Sequence, residues 1–356
     1  MSIIIFLIIL LVLVLVHEAG HFFTAKKFGI RVDEFGFGFP PKLFGFKKGE
    51  TEYSLNLLPI GGFVKIFGEN PDEESMNGPD ASRSFVNKPK WQQAIVLFAG
   101  VFMNFLLAWL LFSFGFMSGL PASVNSQSQN YPLTDVHLVV VSVRADSPAS
   151  LVGLQSGDKI VSFNDPEALK SFIATHSKEE IKIEYLRGQD NNIRVAEIIP
   201  TINESGVPMV GIAMDQIGTV KLPFFRAFWE GLKLALGTAK GMVVGLYGLI
   251  ASSLQGQGSF DSLSGPVGMV GIVDDASKFG FVYLMSFAAL ISVNLAIINL
   301  LPFPALDGGR LFFLLIEKIK GSRINPNVAN MTNMIGFGIL ILLMLVVTYN
   351  DVLKLF

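Results

Sequence analysis

His17-Glu18-Ala19-Gly20-His21 closes a stretch, Ile3 to Val16, that contains only apolar residues. Residues four apart share one face of a helix, so His17 and His21 can offer two imidazole nitrogens to one metal while Glu18 approaches the attacking water. Imidazole and carboxylate groups at bilayer depth are costly, and they mark functional positions. The chain has only four histidines, which makes this spacing informative. The competing structural reading is a histidine pair hydrogen-bonded to neighbouring helices beside a snorkelling glutamate.

Hydrophobic residues make up 51% of the chain and charged residues 16%, the balance of an integral membrane protein carrying some soluble mass. A net charge of −2 argues against a nucleic-acid partner. There are no cysteines, which removes disulfides, thiolate metal sites and a cysteine nucleophile together. A metal here must be held by His, Asp or Glu.

Four apolar stretches can span a bilayer: residues 1–24, 94–118, 281–303 and 333–350. A fifth, Phe228 to Leu254, carries Glu230, Lys233, Lys240 and five glycines, and residues 224–256 are expected to form amphipathic, membrane-associated helices. Lys26, Lys27 and Arg31 follow the first apolar run, unlike the basic start of a signal peptide. That asymmetry places the N-terminus outside and the Lys26 end in the cytoplasm. Four crossings make the first and third spans parallel. The basic loop from Arg310 to Arg323 then lies in the cytoplasm, on the Lys26 side.

The third span runs into Asn299-Leu300-Leu301-Pro302-Phe303-Pro304-Ala305-Leu306-Asp307-Gly308-Gly309. Two prolines interrupt the helix and free backbone groups that need polar partners at this depth. Asp307 can then serve as a third ligand. Two histidines and a carboxylate leave the open position that catalytic zinc requires. Taken alone the Asp-Gly pair is an ordinary turn.

These motifs, with a periplasmic insertion described below, resemble the site-2 proteases, specifically the bacterial sigma-E-regulating, RseP-like branch. The resemblance covers nearly the whole chain. It implies a Zn2+-dependent intramembrane endopeptidase of the bacterial inner membrane. Its substrates would be single-span membrane proteins such as anti-sigma factors, and also signal-peptide remnants. Glu18 would be base and then acid, with Pro302, Pro304, Gly61 and Gly62 as positioning candidates; Asn299, like Asn294, would be either a donor to the tetrahedral oxygen or an amide satisfying backbone freed by Pro302. Two departures stand out: Gly100-Val101-Phe102-Met103-Asn104 lacks the proline that relatives often carry after the glycine, and Arg310 stands where they frequently have His.

Residues 25–93 contain alternation through Tyr53, Leu55 and Leu57, the turn Gly61-Gly62 and a strand Phe63 to Phe67, a β-hairpin pattern. The resemblance places this hairpin against the membrane beside the active site, where its edge could pair with an unwound substrate. A small sheet packed on the cytoplasmic face is the alternative. Asn70 to Ser84 reads as a mobile surface loop. Residues 124–217 read as an α/β domain entered through a polar linker, Asn125 to Pro132. Its Ser147-Pro148-Ala149 and Gly153-Leu154-x-x-Gly157-Asp158-x-Ile160 resemble a bacterial PDZ domain, which receives chain ends. Asn164-Asp165-Pro166 replaces the usual Asn-Gly, and His137 and His176 lack metal-ligand companions. Ser264-Gly265-Pro266-Val267-Gly268 matches the family as a turn back to the membrane.

The expected architecture is therefore a polytopic α-helical membrane protein with four spans, a membrane-associated β-hairpin and a periplasmic α/β PDZ domain. The alternative function is a catalytically silent PDZ adaptor with a structural metal site, against which Glu18 argues. A metal transporter would require more polar residues along the spans.

Overall fold

The computed structural model describes residues 2–124, 131–188, 192–202, 206–255 and 265–353; most of the polar linker, Ser264 and Phe356 lie outside the described residues. In chain order the elements begin with α1 (Ser2–Lys27), β1 (Val32–Lys48), β2 (Thr51–Ile66), α2 (Glu73–Asn77) and α3 (Lys90–Ser118). Then come β3 (Leu120–Ser123), β4 (Thr134–Val143), α4 (Pro148–Leu151), β5 (Lys159–Ile160), α5 (Pro166–Thr175), β6 (Ile181–Leu186) and β7 (Arg194–Ile198). The chain continues through β8 (Thr201–Ile202), β9 (Pro208–Met209), β10 (Ile212–Val220), α6 (Phe224–Leu254) and α7 (Pro266–Lys278). It ends with α8 (Phe281–Asn299), α9 (Asp307–Lys320) and α10 (Pro326–Leu353). Two compact units result: Met1–Leu111 with Gly231–Gly271 and Ala288–Phe356, and Phe112–Glu230 with Ile272–Phe287.

Among the described residues, five helices, α1, α3, α6, α8 and α10, are long and apolar enough to cross a membrane, so the protein is polytopic. The expected pair of amphipathic helices at 224–256 is instead one unbroken helix. It contains no proline, and isolated glycines weaken a helix by about 1 kcal/mol each without stopping it.

α3 packs against the His-Glu-x-x-His motif of α1, and α8 packs against α3. Gly20 abuts the Ala99 carbonyl, His21 reaches Val96 and His17 reaches Asn104, so α1 and α3 run antiparallel. Ser292 bonds to Asn104 and Ser286 approaches Gly115, so α8 is antiparallel to α3 as well. The first and third expected spans are therefore parallel, as the charge pattern requires.

β1 and β2 form more than the expected hairpin. Phe35 lies opposite both Val64 and Tyr53, and Phe46 also lies opposite Tyr53. Residues 32–37 thus sit between 62–66 and 51–55, with 42–48 outside the latter. Gly36 makes the fold-back possible, because a Cβ there would stand 2.3 Å from the Phe63 ring. Leu43, Phe44, Phe46 and Leu57 are exposed, an apolar surface suited to lipid. The loop expected to be mobile carries α2, which begins with a capping box: Asp72 accepts from the Ser75 N–H at 2.8 Å, and Ser75 Oγ accepts from the Asp72 N–H at 2.9 Å.

In the second unit a six-stranded antiparallel sheet runs β3-β10-β4-β5-β6-β7. Its core joins Leu138, Val140 and Ile160 to Leu169 and Ile173 of α5 and to Ile181 and Ile183. Asp158 is 1% exposed and is held by both Arg187 Nε and Nη2, at 2.8 and 2.7 Å, which compensates a buried charge. Asn164-Asp165-Pro166 has a physical reason: Asp165 caps α5 through the Ala168 N–H, and Pro166 fits its first turn. His137 bonds to Asp135 on β4, and His176 to the Phe172 carbonyl at the end of α5.

Candidate metal centre

α1 carries His17 and His21 into the protein interior, 8% and 7% exposed, with Asp307 arriving at the first position of α9. The three functional atoms converge. Asp307 Oδ2 lies 3.1 Å from His17 Nε2 and 3.3 Å from His21 Nε2, and the two Nε2 atoms are 3.2 Å apart. Ligands about 2.0–2.1 Å from a tetrahedral ion stand about 3.3 Å from one another. Buried Asp307 Oδ2 has no hydrogen-bond partner, although it faces both imidazoles. Electron pairs directed at one point, with these edges, fit a zinc ion. Among the described residues this is the one group of three such side chains.

The backbone around Asp307 is shaped to deliver it. After α8 ends at Asn299, the chain turns through Pro302 and Pro304 and folds over the start of α9. A Cβ on Gly308 would lie 2.2 Å from the Leu300 carbonyl oxygen, and one on Gly309 would lie 2.1 Å from that of Phe303. Two glycines therefore admit the returning loop. Pro304 presses against Gly336 of α10, and Ala305, in the left-handed region at φ 75°, donates its N–H to Asn333 Oδ1 at 3.2 Å. Asp307 then benefits from the positive end of the α9 dipole. Arg310, one turn later, pairs with Glu69 and reaches Asn70, which accounts for the cation found there.

Of the other residues expected at the site, Gly62 is close: a Cβ on it would sit 3.6 Å from Glu18 Cγ and 3.2 Å from Val14. Gly61, at φ 86°, makes the turn that brings it there. Asn299 is half-buried at the last position of α8, before the proline turn, and Asn294 is exposed. Sequence reading noted Gly100 and Asn104 only as neighbours of a missing proline. Yet α3 lines the histidines, with a Gly100 Cβ 2.3 Å from His21 Nε2 and Asn104 Nδ2 at 3.4 Å from His17 Nδ1. A lone amide in an apolar span was the available signal.

Two histidines on an apolar helix, a carboxylate at the start of a later helix and a neighbouring glutamate are the donor set of a candidate metallohydrolase centre. The model of peptidase family M50 matches residues 5–343. The chain belongs to that family, the site-2 proteases, and is a zinc metalloprotease. It is similar to zinc metalloprotease RasP of Bacillus licheniformis, 31% identical over 438 aligned positions covering 100% of this chain and 99% of the relative. The regulator of sigma-W protease RasP of Bacillus subtilis is 32% identical over 436, covering 100% and 99%. A Clostridium perfringens protein is 36% identical over 347, covering 96% and 95%.

Proposed function

We propose that this protein is an intramembrane endopeptidase in which His17, His21 and Asp307 hold zinc and Glu18 is the general base. The observation that carries the reading is the convergence of three ligand atoms from α1 and α9 at tetrahedral spacing. The chemistry that zinc supplies when bound is Lewis acidity at one open coordination position. Glu18 takes a proton from the attacking water and returns it to the leaving amide nitrogen. Asn299 is the candidate donor to the developing oxyanion.

A peptide bond inside a helix is protected, so the substrate must unwind before it is cut. Among the described residues, 62–65 are paired only with 34–37, on one side. This edge lies beside Glu18 and would take the unwound segment as an added strand, with Gly62 leaving room for its backbone. Substrates of this kind are single-span membrane proteins, among them anti-sigma factors. The name of the Bacillus subtilis relative supports that class.

Parallel α1 and α8 support four crossings. An even number must separate the end of α3 from the start of α8, and α6 alone would make it odd. We therefore place α6 in the interface, where Lys233 and Lys240 reach water. The α/β unit is taken as a periplasmic PDZ domain that admits chain ends and gates access, in a protein of the bacterial inner membrane. A reporter fused at Ser82 is expected in the cytoplasm, and one after Phe356 in the periplasm. Opposite placements would overturn this topology.

The decisive experiment is cleavage of single-span reporters in detergent or liposomes by the purified protein. Chelation should abolish cleavage and zinc should restore it. Cleavage that survives metal removal would sink the proposal.

A further inference from the structure

The two histidines differ in how their second ring nitrogen is held. His21 Nδ1 lies 2.8 Å from the Val96 carbonyl oxygen, which can only accept. The proton of His21 is thereby fixed on Nδ1, and its Nε2 lone pair faces Asp307. His17 needs the same arrangement, since its Nε2 stands in the same cluster. Its Nδ1 then carries a proton, and the group at 3.4 Å is the Asn104 side-chain amide.

Asn104 is fully buried, and its Oδ1 has no hydrogen-bond partner while its NH2 group faces His17. Two donors facing each other beside an unpartnered buried acceptor is an unfavourable arrangement. Turning the amide by half a rotation exchanges oxygen and nitrogen without changing its shape. Donor then meets acceptor. The Asn104 backbone is itself braced, because its carbonyl accepts a 2.7 Å hydrogen bond from Ser292 Oγ, also fully buried.

We infer that Asn104 is a positioning residue of the metal centre: its side-chain oxygen accepts the His17 Nδ1 proton and so directs the Nε2 lone pair at the ion. α3 thus supplies both outer partners of the histidines, a backbone carbonyl for one and an amide for the other. Ser292 ties the Asn104 turn to α8, the helix that leads to Asp307. The inference rests on His17 and His21 being ligands, a premise tested by zinc binding of the unaltered protein alone.

The test compares Asn104→Leu, which keeps the volume and removes the acceptor, with Asn104→Asp, which keeps an acceptor. Zinc affinity is measured against a competing chelator in the full-length protein. Loss of an outer partner of a ligating histidine weakens metal binding by about 10- to 100-fold, so that drop is expected for N104L and near-normal affinity for N104D. The visible spectrum of the cobalt-loaded N104L protein should shift as well, because the His17 ring is free to turn. Unchanged affinity and spectrum in N104L would overturn the inference. Should N104L fail to fold, 15N-histidine NMR of the zinc-loaded protein decides between the outcomes. The His17 Nδ1 proton should move downfield in N104D relative to the unaltered protein, and an unmoved resonance would remove Asn104 from that role.

Discussion

Glycine has opposite meanings in the helices around the candidate ligands and in α6. On α3, a Cβ at Gly100 would collide with both imidazole rings, and on α9 Gly308 and Gly309 lie under the carbonyls of a returning loop. On α6, Gly237, Gly241, Gly245 and Gly248 have open space where a Cβ would go. The first set permits close approach around the candidate ligands. The second permits nothing visible in the fold. Hydropathy marks both α3 and α6 as candidate spans, whereas the polar residues next to its glycine set α3 apart.

The comparison breaks most sharply at the centre itself. Asp307→Ala should lose bound zinc and all cleavage, because two ligands cannot hold an open catalytic site. Metal content by mass spectrometry under native conditions checks this, and normal content would mean a different third ligand. Glu18→Gln should keep zinc and lose about 10²- to 10⁴-fold in turnover, as expected for a missing general base. Wild-type turnover would remove Glu18 from the chemistry. Gly100→Ala follows: overpacking a buried site costs about 1–3 kcal/mol, here imposed directly on His17 and His21. Lower zinc occupancy with retained helical content is the expected result. An alanine variant with full occupancy would show that α3 yields and does not constrain the rings.

The convergence of His17, His21 and Asp307 was legible because these residue types are rare in their settings. His17, His21 and Asp307 are costly at bilayer depth, and the proline-broken run before Asp307 advertised a non-helical turn. The parallel run of α1 and α8 agrees with the placing of Lys26, Lys27 and the basic residues from Arg310 to Arg323, which the structure puts largely on α9 and not in a loop. What stayed hidden depends on pairing across long separations. Gly36 under Phe63, and Phe35 between Val64 and Tyr53, turn an expected hairpin into a folded-back sheet, and alternation alone cannot report such register. Asp72 and Ser75 make a capping box from a serine where Glu or Gln is the usual signal, so a short helix passed for loop. Continuity of α6 was obscured by its glycines, which lower propensity without dictating a break.

The smallest effect should come from the open set. Replacing Gly241 and Gly245 by Ala adds about 1 kcal/mol of helix propensity per site, with open space among the described residues where the new methyl groups would go. Zinc affinity and cleavage of single-span reporters should stay unchanged, and slower amide hydrogen exchange should be confined to α6. This is the reverse of Gly100→Ala, where one methyl group disturbs the metal. A double variant that keeps its zinc but stops cutting would place α6 in substrate handling. Its glycine face would then belong with α3, and the distinction between the two helices would fail.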